Sequence, residues 1–134
     1  MAGWLFKTEP GDYSYADLES DGETVWDGVA NNWALKNLRQ VRNGDRTLIY
    51  HTGNERAVVG EARVTSDPYP DPRADDEKLM VVDIEPVRKW AQPVTLSAIK
   101  ADEELSDFEL VRFSRLSVMP VSARIWKRLE RMGK

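Results

Sequence analysis

The hydrophobic positions of this chain switch between short contiguous runs and a period near 3.6, and the switches predict its elements. Trp4, Leu5 and Phe6 begin an apolar run that exits through Lys7, Thr8, Glu9 and Pro10, so GWLFKT reads as a first strand. SYADLES reads as a short helix with Ser14 as its N-cap. VWDGV reads as a loop or turn, because Asp27-Gly28 punctuates it. ANNWALKNLRQV reads as a helix, with Ala30, Ala34, Leu38 and Val41 on one face, and Asn43-Gly44-Asp45 closes it. RTLIYHT and AVVGEARVT follow as two strands joined through Gly53-Asn54, an antiparallel pair with a bulge or bend expected at Gly60. DPYPDPR reads as a rigid loop, and KLMVVDIEPVRKW as a long strand with a kink at Pro86. Thr95 caps a short helix through about Ala101. RLSVMPV reads as the last strand, and SARIWKRLERM as a closing helix with Ile125, Trp126, Leu129 and Met132 on one face.

Mostly antiparallel strands with short helices between them define an α+β class, with a curled sheet or small barrel flanked by helices. A doubly wound parallel fold is not expected, because no helix separates the three middle strands. At 134 residues, without an internal repeat or linker, the chain reads as one domain over 1–134.

Composition narrows the chemistry. Hydrophobic residues make up 41% and charged residues 31%, an ordinary globular mixture. There is no cysteine, which removes disulfides and thiolate metal sites. The single histidine, His51, leaves no His cluster for a metal and no Cys–His dyad. G-x-S-x-G, GxGxxG and the P-loop pattern are missing too. Neither metal nor cofactor is therefore expected. No apolar run reaches the roughly 18 residues of a membrane span, and MAGWLFKTEP lacks the charged and apolar regions of a signal peptide. A soluble, cytoplasmic monomer with no membrane contact is the expectation. The net charge of −4 counts against tight, non-specific binding to a phosphate backbone. Bases nevertheless gather at Lys36–Arg46, Arg112–Arg115 and Arg124–Lys134, so a local basic patch remains open.

Several residues are candidates for a site. Trp26 lies outside any periodic element, either as a plug at the core's edge or as an aromatic wall for a planar ligand; a base stacked on such a ring gains about 1–3 kcal/mol. Trp33 falls off the apolar stripe of its helix, beside Lys36 and Asn37, either packed under a loop or free for use. Asn31 reads as a cap, whereas the Asn32 amide both donates and accepts, as base-edge recognition requires. His51 reads as a satisfied polar group. Lys7, Thr8 and Glu9 are either solvated charge or a donor, hydroxyl and acceptor for a ligand, with Arg115-Leu116-Ser117 as a second approach from the last strand.

Taken together, W-L-F-K-T-E-P, V-W-D-G-V-x-N-N-W-A, L-I-Y-H-T, V-V-G-E-A-R-V, Y-P-D-P and R-L-S-V-M-P-V resemble, in order and spacing, the EVE-domain family. The resemblance spans nearly the whole chain. It implies a PUA-like fold, a bent antiparallel β-barrel with peripheral helices, similar to the YTH domains that read methylated adenine in RNA through an aromatic cage. It also implies a partner: DNA or RNA whose modified base, a cytosine first and a methylated adenine second, is flipped into a central pocket. By resemblance, Lys7, Thr8 and Glu9 match the pocket floor, and Trp26 the first aromatic of the cage. Asn32 and Trp33 match the family's Asn-Tyr pair, while His51, Tyr69 and Arg115 to Ser117 match the remaining blocks. Trp33 stands where tyrosine is common, and Asn31 where arginine is common. Binding without chemistry is the implied activity, and Trp26→Ala is expected to abolish it while leaving the fold intact. Two alternatives are a small nucleoside amidohydrolase of the ASCH type, using Lys7, Thr8 and Glu9, and a protein-interaction module.

Overall fold

The first apolar run becomes β1 (Gly3–Thr8), with Trp4, Leu5 and Phe6 all buried. In the computed structural model, which describes residues 2–134, β1 lies inside a seven-stranded sheet. Its parallel neighbour is β3 (Arg46–His51), in register from Gly3↔Arg46 to Thr8↔His51. The parallel pair is possible because the connection passes through α1 (Tyr15–Asp21), β2 (Thr24–Trp26) and α2 (Asn32–Leu38). All other pairings are antiparallel. β3 pairs with β4 (Ala57–Val64), β4 with β6 (Met80–Thr95), and β1 with β7 (Val118–Val121). The order along the sheet is β2-β6-β4-β3-β1-β7, with β5 (Tyr69–Pro70) against the start of β6. Around it lie α3 (Leu96–Lys100), a 3-10 turn at Glu103–Leu105, α4 (Glu109–Arg112) and α5 (Ala123–Gly133).

Ser14 caps α1 as expected: its hydroxyl accepts the Asp17 N–H, and the Asp17 carboxylate accepts the Ser14 N–H. Thr95 and Ser122 cap α3 and α5 with their hydroxyls alone, which accept the Ala98 and Ile125 N–H groups. Register slips where β4 passes Gly60. A Cβ at Gly60 would lie 2.7 Å from the Tyr15 ring and 2.9 Å from the Arg88 carbonyl oxygen, so only glycine admits Tyr15 there. Tyr15 then donates its hydroxyl to the Glu61 carbonyl at 2.7 Å. Its phenol is pushed up to about 12 by burial.

Several expectations need correction. Residues 24–26 form a strand, not a loop: Trp26 pairs with Val82, and the segment is too short for its β pattern to outweigh Asp27-Gly28. Tyr69 pairs with Val81, so part of the proline-rich loop is an edge strand, where the missing N–H of Pro70 costs no ladder bond. The long strand continues past Trp90 to Thr95. The last strand begins at Val118 rather than Arg115. Ala30 is exposed because Asn31 caps α2; Leu35 joins Ala34 and Leu38 on the buried face instead. The 3-10 turn and α4 have no periodic signature, yet they bring Leu105, Phe108 and Leu110 into the core.

Candidate functional site

Where β1 ends, the chain stops filling space. Beyond Phe6 an open cavity of about 700 Å³ lies between the end of β1 and the β2–β5–β6 edge of the sheet. Lys7 and Thr8 supply one wall, Asp12 and Tyr13 the turn that follows, residues 23–29 a second wall, and Tyr69, Arg73 and Asp83 a third, with Ser117 closing the side next to β7.

Three aromatic rings line it: Tyr13, Trp26 and Tyr69. Trp26 is held from behind by Phe6, at 5.7 Å between ring centres, and at its edge by Tyr13, at 6.2 Å and 81°. It is only 7% exposed, so Trp26→Ala removes core packing as well as a cavity wall. Such a truncation costs about 3–5 kcal/mol, which overturns the expectation that the fold would be indifferent to it. The indole N–H of Trp26 has no hydrogen-bond partner among the described residues and is not sealed off from solvent.

The polar groups are oriented by their neighbours. Thr8 donates its hydroxyl to the Tyr13 carbonyl at 2.7 Å, which fixes the turn and leaves the oxygen lone pairs as acceptors. Tyr69 donates to Asp83 Oδ1 at 2.6 Å, and this bond pushes its phenol up to about 12. Lys7 Nζ donates to the Ser114 carbonyl at 2.9 Å and lies 5.7 Å from the centre of the Tyr50 ring. Burial holds the Lys7 ammonium below its ordinary range. Asp12, Glu23, Asp27 and Asp83 line the cavity against only Lys7 and Arg73, so its walls are rich in acceptors.

Of the residues singled out in the sequence, Lys7, Thr8, Trp26, Tyr69 and Ser117 come together here. Glu9 does not: its carboxylate turns back to accept the Gly11 N–H at 2.6 Å. His51 is buried, with Nε2 accepting the Tyr15 N–H at 3.0 Å and Nδ1 2.6 Å from Glu55 Oε1, so the neutral Nδ1–H tautomer satisfies both bonds. Asn32 is exposed at the first turn of α2 and lines no wall. Trp33 and Arg115 lie in a separate recess of about 290 Å³. The two indoles do not share one hollow.

Tyr13 and Asp83 escaped the sequence reading. Both carried a signal: Tyr13 is the aromatic that follows the Pro-Gly-Asp turn at the strand's exit, and Asp83 is a lone acid inside the apolar run LMVVDI. Neither signal is specific without knowing that β1 and β6 share a cavity. Among the described residues no cluster of His, Cys, Asp and Glu could hold a metal ion, and no helix is long and apolar enough to cross a membrane.

A bent, mostly antiparallel sheet with an aromatic-walled cavity at the end of its first strand defines a PUA-like domain. The chain belongs to the EVE-domain family, whose model matches residues 2–132. Rpa0253 from Rhodopseudomonas palustris shares 38% identity and superposes with a TM-score of 0.93, covering 99% of this chain and 93% of that one. Human thymocyte nuclear protein 1 is 26% identical over 153 residues, which cover 89% of this chain and 68% of the human protein. The structure of human THYN1 in complex with DNA containing 5-methylcytosine superposes with a TM-score of 0.91 at 24% identity, covering 98% of this chain and 97% of that one. An ASCH protein from Zymomonas mobilis shares the fold at 13% identity, with a TM-score of 0.66, 99% of this chain and 96% of that chain being covered.

Proposed function

We propose that this chain, acting over residues 1–134 as a single EVE domain, binds a modified nucleobase, a modified cytosine first, in DNA or RNA. The observation that carries the proposal is the cavity itself. Its volume of about 700 Å³ lies within the range of small-molecule sites, roughly 300–1,000 Å³. Tyr13, Trp26 and Tyr69 line the cavity with aromatic rings, and stacking on one of them offsets the few kcal/mol needed to unstack a base. The carboxylates of Glu23, Asp27 and Asp83 and the lone pairs of Thr8 are acceptors. They complement the exocyclic amino group of cytosine or adenine and oppose the carbonyl that thymine and uracil present instead. An added methyl gains about 0.8 kcal/mol when buried, so fit alone separates methylated from plain cytosine only a few-fold. The DNA complex of the human relative supports the same class of ligand.

Catalysis has little support from the geometry. A hydrolase of the ASCH kind would draw on Lys7, Thr8 and Glu9 together. Instead Lys7 is bonded to Ser114, the Thr8 proton points at a carbonyl, and the Glu9 carboxylate faces Gly11.

A binding panel tests the proposal. Short DNA and RNA strands carrying cytosine, 5-methylcytosine, 5-hydroxymethylcytosine, adenine or N6-methyladenine are titrated with the protein. The expected result is tighter binding to at least one modified cytosine than to its unmodified parent, with no change in the base recovered afterwards. Equal affinity for every strand would overturn it.

A further inference from the structure

The second recess, about 290 Å³, is built on a different principle from the first. Trp33 stands at its rim 45% exposed, an unusual position for a tryptophan of this chain, all the others being buried or partly buried. Its ring meets Phe113 edge to face at 4.6 Å and 68°. The guanidinium of Arg112 lies over the other ring of that pair, 5.0 Å from the centre of Phe113. Arg115 completes the lining. Arg112 and Arg115 are exposed, and neither forms an ion pair with a described residue. No carboxylate lines the recess, in a chain whose net charge is −4 and whose main cavity holds four of them.

The two recesses adjoin. Leu116 lines one and Ser117 the other, and consecutive Cα atoms are about 3.8 Å apart. Lys7 bolts them together: its backbone N–H donates to the Ser117 carbonyl at 3.0 Å and its Nζ to the Ser114 carbonyl at 2.9 Å. The lining of one recess thus runs directly into that of the other, within reach of a neighbouring nucleotide.

We infer that the Trp33–Phe113–Arg112–Arg115 recess is a second nucleic-acid site that holds the nucleotide flanking the base in the main cavity, its base against Trp33 and its phosphates against the two arginines. This rests on the base-binding reading of the main cavity. Charge complementarity selects the occupant: the main cavity's carboxylates repel phosphate, whereas guanidiniums without an ion pair, beside the exposed Trp33 ring and the half-buried Phe113, attract phosphate and stack on bases. Asn31, which also lines the recess, is occupied in capping α2, where its Oδ1 accepts the N–H groups of Trp33 and Ala34 at 3.0 and 3.2 Å. The arginines supply the polar contacts it does not.

Three ligands and two variants test this: the free nucleoside 5-methyldeoxycytidine, a single strand carrying that base centrally, and the same strand with abasic sites on both sides of it. The variants are Trp33→Ala and the double change Arg112→Ala with Arg115→Ala, each checked by thermal unfolding. Trp33→Ala should lose about tenfold on the full strand, and nothing on the nucleoside or the abasic strand. The double variant should lower the slope of log affinity against log salt by about 1.4, at 0.7 per phosphate of a single strand. Wild-type affinities for all three ligands in both variants would overturn the inference and leave the recess to a protein partner. So would loss of nucleoside binding in a folded Trp33→Ala protein, since that would put Trp33 in the main site, and so would a wild-type protein that binds no strand. Failure of the base-binding reading looks different. The wild type would then bind 5-methyldeoxycytidine no better than deoxycytidine, while strand affinity still depended on Trp33 and the arginines.

Discussion

Trp4 and Trp90 are tryptophans at the closed end and flank of the sheet; Trp26 and Trp33 are tryptophans at its open end. The first pair are 5% and 2% exposed, and each donates its indole N–H to a buried carboxylate: Trp4 to Asp45 at 2.9 Å, Trp90 to Glu61 at 3.1 Å. Those carboxylates are themselves held. Asp45 also accepts the N–H groups of Ala2 and Arg42, and Glu61 is met by Arg46 and Lys134. Neither Trp26 nor Trp33 has an indole partner among the described residues. Burial alone would have grouped Trp26, at 7%, with the first pair. What separates the pairs is whether the polar end of the ring has a partner inside the protein or is left without one on a ring that lines a recess.

On this distinction the largest effect on stability lies at the closed end. Asp45→Ala leaves the Trp4 indole and two backbone N–H groups without their acceptor. The expected loss is about 3 kcal/mol or more in urea unfolding, with nucleoside affinity unchanged wherever the variant is folded. At the open end the balance reverses. Trp26→Phe keeps an aromatic against Phe6 and Tyr13 but removes the free N–H and part of the stacking face. About 1 kcal/mol of stability should go, and roughly tenfold of the affinity for the modified strand; a variant that lost stability alone would erase the distinction.

The smallest effect appears in alkali. The phenols of Tyr15 and Tyr69 are both raised in the folded protein, from 10.0 to about 12. A raised value means that the fold prefers the neutral phenol. The stability this lends is complete below pH 10 and is lost as the pH climbs through about 12. Tyr69→Phe, which removes the half-buried member of the pair and its bond to Asp83, should flatten part of that decline when unfolding free energy is followed against pH. A decline of equal steepness in the variant would show that Tyr69 plays no part in it.

The regular elements were legible because their signals are local. Ser14 and Thr95 announce helices, and the β-rich apolar runs RTLIYH and AVVGEARV announce strands buried almost throughout. β2 and β5 were not, since strands of three and two residues exist only through their pairing with β6. The site was half legible for the same reason. Lys7 and Thr8 end a visible strand and Trp26 is a conspicuous aromatic next to a turn, whereas Tyr69 came only through the family resemblance. Trp33 lay off its helix stripe, which left packing under a loop and exposure both open and could not say which recess it lines. That depends on Phe113, some eighty residues away along the chain, and on the short α4 that carries it there.

The most direct measurement follows the tryptophan indole N–H signals of the ¹⁵N-labelled protein by NMR while 5-methyldeoxycytidine is added. The Trp26 signal should move saturably, because its ring lines the occupied cavity, while those of Trp4 and Trp90 stay in place on Asp45 and Glu61. A nucleoside that leaves Trp26 unmoved at saturating concentration, or that shifts Trp4 and Trp90 instead, would contradict a base-binding cavity at the end of β1.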